Sequence, residues 1–466
     1  MNPPPSPTPE DLPAKPQTLA QCHEVIDTLS QQLAQLREQV AWLQERVKLD
    51  SRNSSKPPSS DVAGTSRPGR SSERKRGGQP GHKGTYRTLL DEGEVDAVHE
   101  CPPPEVCECG GPIEPGRALR HQVTDLAQAV RAEVQEYRLY RGVCGHCRKT
   151  HESRLPAGVP RGQIGPRALA LIGALGTRYH LTQDKIRTLL GEVLGVRFSL
   201  GAISQAQGLV AQALQAPVQQ AAASCHGAAV LHMDETSWRQ AGSGTRHWVW
   251  ATVRPQVVVY QVLPSRARYV AQALAGERPA GVLVTDRYAV YDWVAPERRQ
   301  VCWAHLLRDF ERIAGRAGAA GCVGRRLLGL GRVLFRWRAR DAGPAEFARL
   351  QARVHQALER GTRSGCRRTA QTCANLLAQE VSLWSFVRHP GVEPTNNAAE
   401  QALRTVVLKR KISGPTRSMR GQQFVARGFS AMESCRRQGR DLRGWMEQAL
   451  RAWLGAGPVP SLLPSG

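Results

Sequence analysis

Acidic residues are in short supply in this 466-residue chain: 40 Asp and Glu stand against 64 Lys and Arg, a net charge of +24 and a sequence pI near 10.2. That imbalance predicts a polyanionic partner. Long hydrophobic runs are missing as well. No stretch approaches the roughly 18–20 apolar residues of a membrane span, so a membrane-spanning helix is not expected. The opening residues, Met1-Asn2-Pro3-Pro4-Pro5, lack both a basic n-region and an apolar h-region, which predicts no secretory signal and a cytoplasmic chain. Cysteines are sparse outside one segment: of 12, five crowd between Cys101 and Cys147 and the rest are scattered singly. A disulfide framework is thereby excluded, and a reduced chain with one metal site is expected. What is present is 41% hydrophobic residues, enough for real cores, over a length that predicts several domains.

Residues 1–18 form a Pro-rich tail. From Leu19 a heptad runs through Leu19, Ile26, Leu33, Val40 and Val47 at a, with Cys22, Leu29, Leu36 and Leu43 at d. About four heptads predict a helix over 19–50, either a short coiled coil or an amphipathic helix packed on its own chain. The stretch 51–95 is a basic, Gly- and Pro-rich linker carrying Arg74, Lys75 and Arg76, suited to a solvated tether or to phosphate contact. Within 96–160, Cys107 and Cys109 precede a strand-like stretch around Val130, Ala132 and Val134, and Cys144 and Cys147 follow it. Two cysteine pairs flanking strands predict a four-thiolate zinc ribbon, although the first pair is C-x-C, one residue short of the usual knuckle. His99, Cys101 and His146 stand as substitute ligands, and unligated buried thiols as the alternative.

Residues 161–222 read as helices, Ala168–Leu175, Leu181–Leu194 with a stop at Gly195, and another starting at Ser199 with Ile203, Ser204, Gln205 and Gln207. This pattern fits a helix-turn-helix DNA-binding region or a plain bundle. Strands follow at Ala228–Met233, His247–Val253, Val257–Val262 and Gly281–Thr285, with a helix Ala267–Leu274 between, predicting an α/β domain with a mixed sheet. Residues 303–387 look helical with basic faces, as does Asn397 to about Leu454. After residue 400 that last region holds twelve Lys and Arg against three Asp and Glu, including Arg404, Lys409, Arg410 and Lys411.

Three carboxylates stand where elements are expected to end or begin. Asp234 closes one strand, Asp286 closes another, and Glu400 lies in the first turn of the helix opened by Pro394-Thr395-Asn396-Asn397. Acids at neighbouring strand ends and on a helix across the sheet edge suit two Mg²⁺ ions and phosphodiester chemistry. Side chains alternate along a strand, so Glu235 points away from the face of Asp234. Against this stand ordinary turn and cap roles, with Asn397-x-x-Glu400 resembling a capping box. Asp292, Asp309 and Glu433 are the alternative acids. His305 is a candidate for either a catalytic role or a structural hydrogen bond; Trp238, Trp248 and Trp250 suit either the core or base stacking.

Asp234-Glu235-Thr236, Thr285-Asp286-Arg287-Tyr288 with Tyr291, Cys302-Trp303-Ala304-His305-Leu306, and Asn396-Asn397-Ala398-Ala399-Glu400 with Arg404 and Lys409-Arg410-Lys411 together resemble the bacterial insertion sequence sixty-six family transposases. The resemblance extends to Asn53–Asp61, to Gln79-Pro80-Gly81-His82 and to the cysteine knuckles, nearly the whole chain. It departs in Thr395-Asn396-Asn397, where the family often has an acid first, and in the short first knuckle.

The resemblance implies a multidomain α/β protein. A ribonuclease-H-like core occupies 223–304 and 391–455, a helical insertion 305–390, and a tail 456–466. It implies a DDE triad of Asp234, Asp286 and Glu400, spaced 52 and 114 residues apart, with Mg²⁺ or Mn²⁺ as cofactor. The expected activity is cleavage and strand transfer of an insertion sequence in the bacterial nucleoid. Double-stranded DNA, further copies of the chain and accessory proteins of the same element are the expected partners, with structural Zn²⁺ on Cys107, Cys109, Cys144 and Cys147. The rival functions are a DNA-binding regulator with an inactive core and a nuclease that cuts without joining.

Overall fold

The computed structural model describes residues 18–47, 133–143, 150–152 and 155–464, except 242, 243 and 245, together with positions 91, 93, 109, 111 and 147. The tail, the basic linker with Arg74, Lys75 and Arg76, the segments Asn53–Asp61 and Gln79–His82, and His99, Cys101, Cys107, Cys144 and His146 lie outside the described residues. The chain divides into two units, Met1–Asp61 with Glu133–Gly466 as one and Val62–Ala132 as the other. All the elements below belong to the first.

Helix α1 (Leu19–Val47) opens on a reciprocal cap: Gln21 N donates to Thr18 Oγ1 and Thr18 N to Gln21 Oε1. Leu19, Ile26, Leu29, Leu33, Leu36, Val40 and Leu43 of its heptad seam are all exposed, and no other described residue buries them. Strands β1 (Arg141–Val143) and β2 (Thr150–Glu152) pair antiparallel, and Cys147 lies in the turn between them. The strand expected around Val134 begins only at Arg141; Val134 itself is exposed, with no sheet face to bury it.

Four helices follow: α2 (Pro166–Thr177), α3 (Gln183–Leu194), α4 (Leu200–Ala213) and α5 (Gln215–His226). Their bounds follow local chemistry. Thr182 and Ser199 cap α3 and α4 by accepting from Lys185 N and Ala202 N, and Gly195 ends α3 at φ 65°, a conformation that favours glycine. Of the α4 side chains expected to face DNA, Gln207 turns inward: with Ile203, Ala206 and Gly208 it is buried against α2 and the C-terminal helices and accepts from Gln183 Nε2, whereas Gln205 is exposed and Ser204 half-buried.

The sheet comprises β3 (Val230–Arg239), β4 (Arg246–Arg254), β5 (Val257–Leu263), β6 (Val282–Thr285) and β7 (Arg299–Val301), in the order β5-β4-β3-β6-β7. The first three are antiparallel; β6 and β7 run parallel to β3. Helix α6 (Arg268–Ala275) crosses between β5 and β6. A run of helices comes next: α7 (Trp303–Ala314), α8 (Gly318–Ala339), α9 (Pro344–Thr362), α10 (Arg367–Ala378), α11 (Glu380–Leu383) and α12 (Ser385–Arg388). The chain then returns through α13 (Asn397–Ser413), α14 (Met419–Arg437) and α15 (Leu442–Trp453).

Two hydrophobic cores flank the sheet, and β6 divides them by strand alternation. Val282 and Val284 belong to the core shared with Trp303, Phe310, Leu358 and Trp384 of the α7–α12 run, while Leu283 belongs to the core shared with α2, α4, α13, α14 and α15. Trp238 and Trp250 are fully buried in the latter, with their indole N–H groups donating to Thr416 Oγ1 and Ser265 O, which fixes them as core residues. No helix among the described residues is long and apolar enough to cross a membrane.

Candidate active site

Strand register brings the first two acids together. Val230, Leu231 and His232 of β3 pair with Val282, Leu283 and Val284 of β6, an offset of 52 residues, the same interval that separates Asp234 from Asp286. Carried two residues past its last pair, that register sets Asp234 of β3 beside Asp286, the first residue after β6. Gly281 permits this approach: a Cβ there would lie 2.0 Å from Ala229 O. Asp234 does not end its strand as expected. β3 continues to Arg239 on its antiparallel pairing with β4, and what ends near Asp234 is the pairing with β6.

Each aspartate is fixed by one oxygen. Asp234 Oδ1 accepts from Glu235 N at 2.9 Å, and Asp286 Oδ1 accepts from Tyr288 N at 2.9 Å. No hydrogen bond from a described residue reaches the second oxygen of either. Buried Arg299 holds the turn after β6, donating to Thr285 Oγ1, Asp286 O and Asp292 Oδ1.

Glu400 comes from α13. The helix caps at Asn396, not Asn397, and its first turn has no side-chain cap, so the predicted capping box is not formed. Instead the carboxylate faces α7, with Oε1 3.4 Å from His305 Nδ1 and Oε2 3.6 Å from Arg308 Nη2. Glu400 Oε1 and His305 Nδ1 are both buried atoms without a hydrogen bond. Burial, followed by repulsion from Glu235, Asp286 and Glu400, raises the Asp234 carboxyl well above the usual carboxylate range. Like charges this close favour a proton or a cation. The unpartnered oxygens of the three carboxylates are hard donors of the kind Mg²⁺ or Mn²⁺ accepts, while the ligand atoms that lie within 4.8 Å of one another among the described residues are those of Cys302, His305 and Glu400.

The neighbouring acids are already paired. Glu235 points away from Asp234, as alternation requires, accepting from Arg266 Nε at 2.6 Å and Tyr291 Oη at 2.7 Å. Arg266 in turn lies 3.9 Å over the Tyr288 ring and 4.8 Å over Trp248. Asp309 is bound by Arg287 and Arg312, Asp292 by Arg299, and Glu433, fully buried, by Arg436 and Arg437. The tyrosines and arginine of the Asp286 motif thus lock the turn that carries it.

The basic residues of α13 divide. Arg404 is exposed one turn beyond Glu400, and Lys411 is exposed near the helix end. Lys409 and Arg410 turn inward, against the expectation that they face DNA. Lys409 Nζ donates to Leu181 O at 2.9 Å, and Arg410 Nη1 donates to Ser237 O. Sequence reasoning placed Arg308 only on a basic helical face and missed both its pairing with Glu400 and the bonding of Asn396. Arg308 sits two residues outside the Cys302–Leu306 motif, one helical turn after His305. Nothing in spacing alone reports its partner. Of the cysteines, Cys109 and Cys147 are both exposed.

The mixed sheet thus carries Asp234 on β3 and Asp286 just after β6, and α13 returns with Glu400 after a long helical run. The chain belongs to the Transposase IS66 family, whose match covers residues 161–424, more than half of it and all three acids. Residues 3–88 match a second family, described as a family of unknown function (DUF6444). Among curated relatives from Sinorhizobium fredii (strain NBRC 101917 / NGR234), "Uncharacterized protein y4qI" is 28% identical over 260 residues, 48% of this chain and 47% of its own. "Uncharacterized protein y4hP" is 25% identical over 394 residues, 75% of this chain and 70% of its own. The chain thus spans about half the length of the first relative.

Proposed function

We propose that this transposase is of the DDE type, with Asp234, Asp286 and Glu400 holding two divalent cations, Mg²⁺ or Mn²⁺, against a DNA phosphodiester in a ribonuclease-H-like core. The observation that carries this reading is convergence. The β3–β6 register sets two acids side by side, and a third arrives from α13 close enough to raise the first. The strand order, with three antiparallel strands followed by two parallel ones, supports the core type, and α7–α12 correspond to the insertion before the glutamate.

Two such cations, when bound, supply an activated water or 3′-hydroxyl and charge stabilisation at the leaving oxygen. The chain's own residues prepare the place. Backbone amides of Glu235 and Tyr288 orient the aspartates, and Arg308 pairs with Glu400 beside His305. Arg404, on the same helical face as Glu400 one turn on, binds a flanking phosphate. The freed 3′-end is directed onto target DNA without a covalent protein intermediate. The exposed seam of α1 pairs protomers, and Cys107, Cys109, Cys144 and Cys147 hold a structural Zn²⁺. The substrate is the ends of an insertion sequence, accessory proteins of the same element assist, and the work takes place in the bacterial nucleoid.

The test incubates purified full-length protein and Mg²⁺ with duplexes bearing the flanking terminal repeats. Joined product is expected. Glu400→Gln, Asp234→Asn and Asp286→Asn should retain fold and DNA binding while losing cleavage and joining by on the order of 10³-fold, equivalent to about 4 kcal/mol of transition-state stabilisation. Glu400→Gln joining DNA at the parental rate would overturn the triad. Binding without cleavage would make the protein a regulator, and cleavage without joining a nuclease.

A further inference from the structure

We infer that Asn396 is a positioning residue that sets the separation of the three acids; the inference rests on the triad reading above. Its side chain is completely buried, and although it is the N-cap residue of α13 it does not cap that helix. Nδ2 instead donates to Met233 O at 2.7 Å, the carbonyl immediately before Asp234. Oδ1 lies 3.2 Å from His232 Nδ1. With Nδ2 committed to Met233 O, the amide oxygen faces the imidazole and accepts from Nδ1–H of a neutral ring.

The backbone of Asn396 reaches the other two acids. Its carbonyl accepts from Glu400 N at 3.1 Å, so the residue that grips β3 also opens the helical turn that carries the glutamate. Its N–H donates to Cys302 Sγ at 3.1 Å, and Cys302 N donates to Thr285 O at 2.9 Å, the carbonyl immediately before Asp286. A neighbouring bond, Trp303 N to Pro394 O at 2.9 Å, closes the same junction between α7 and the loop before α13. One buried asparagine, with one cysteine, thus ties the strand of Asp234, the strand of Asp286 and the helix of Glu400. These segments are far apart in sequence, and no single element spans them. Metal-binding carboxylates require placement to within a few tenths of an ångström, and buried hydrogen bonds of this kind supply it.

An ordinary core role would make Asn396 matter for stability alone. The positioning role adds a demand on cation affinity, which separates the two. Mn²⁺ binding to full-length protein would be followed by calorimetry and paramagnetic resonance, alongside thermal unfolding and DNA binding. The variants are Asn396→Ala, Asn396→Ser, Cys302→Ala, the ligand variant Asp234→Asn, and Ser430→Ala as a control. Ser430 is also buried and accepts from Tyr260 N, but belongs to α14 and not to this junction.

Asn396→Ala should weaken Mn²⁺ binding tenfold or more, with DNA binding retained and cleavage partly restored at saturating Mn²⁺. Asn396→Ser and Cys302→Ala should move affinity in the same direction by less, which keeps the inference testable if the alanine variant of Asn396 fails to fold. Ser430→Ala should lose stability with Mn²⁺ affinity unchanged. If Asp234→Asn abolishes Mn²⁺ binding but the Asn396 and Cys302 variants only lose stability, as Ser430→Ala does, Asn396 is a core residue and the inference is overturned. If Asp234→Asn itself leaves Mn²⁺ binding intact, the triad reading falls and takes the inference with it.

Discussion

Lys409 carries a charge that no described carboxylate neutralises. It is buried, its ammonium donates only to a neutral carbonyl, and burial lowers it from 10.5 to about 8. The unfolded chain keeps this proton up to about 10.5, whereas the folded chain gives it up near 8. Between those values unfolding takes up a proton, so stability should rise with pH, and below about 8 the full burial cost is present. The interval corresponds to about 3 kcal/mol. Urea unfolding at pH 7.5 and pH 10 should show that rise in the parent and its loss in Lys409→Met. An identical pH dependence in both would place the ammonium in solvent. This residue also marks a limit of the sequence. The run Lys409-Arg410-Lys411 looks uniformly suited to phosphate, because a basic side chain declares its charge but not the neighbour it turns toward. The three acids drew notice as carboxylates at element ends and through the family resemblance, and the 52-residue interval between the two aspartates equals the β3–β6 register, while the bonds of Asn396 join positions 163 and 164 residues apart and leave no local trace.

At the scale of elements, alternation and caps located most strands and helices to within a few residues, since β-periodicity and the Ser199 and Gly195 signals are local. β7, three residues long, was invisible because it is too short to show a period. The docking of α14 was equally hidden. β5 is an edge strand, and its outward N–H groups would be exposed for pairing with another chain. Two serines one helical turn apart on α14 cover it. Ser430 Oγ accepts from Tyr260 N at 2.8 Å, while Ser434 Oγ accepts from Val258 N at 3.0 Å and donates to Val258 O at 3.1 Å. Replacing either with alanine strands buried backbone groups, at a cost of roughly 1–3 kcal/mol each. Ser434→Ala should cost more, because it strands both a donor and an acceptor. Equal, negligible shifts of the urea midpoint would mean that water reaches this edge.

For the whole molecule, the +24 charge is an argument about association and not about fold. A polycation bound to duplex DNA releases condensed counterions, so log affinity should fall linearly with log salt, by about 0.9 per phosphate neutralised. The inward turn of part of α13 sharpens this into a comparison within one helix. Arg404 and Lys411 are exposed, and Arg404 follows Glu400 on the same face, whereas Lys409 is buried against Leu181. Arg404→Ala and Lys411→Ala should each make the slope shallower by about 1, while Lys409→Met should leave it unaltered. Fluorescence anisotropy on one duplex from about 50 to 200 mM salt measures all three. A slope that responds to Lys409→Met as strongly as to Arg404→Ala would require α13 to detach from the α2–α3 loop when DNA binds. A flat dependence for the parent would remove the electrostatic basis of its association with DNA.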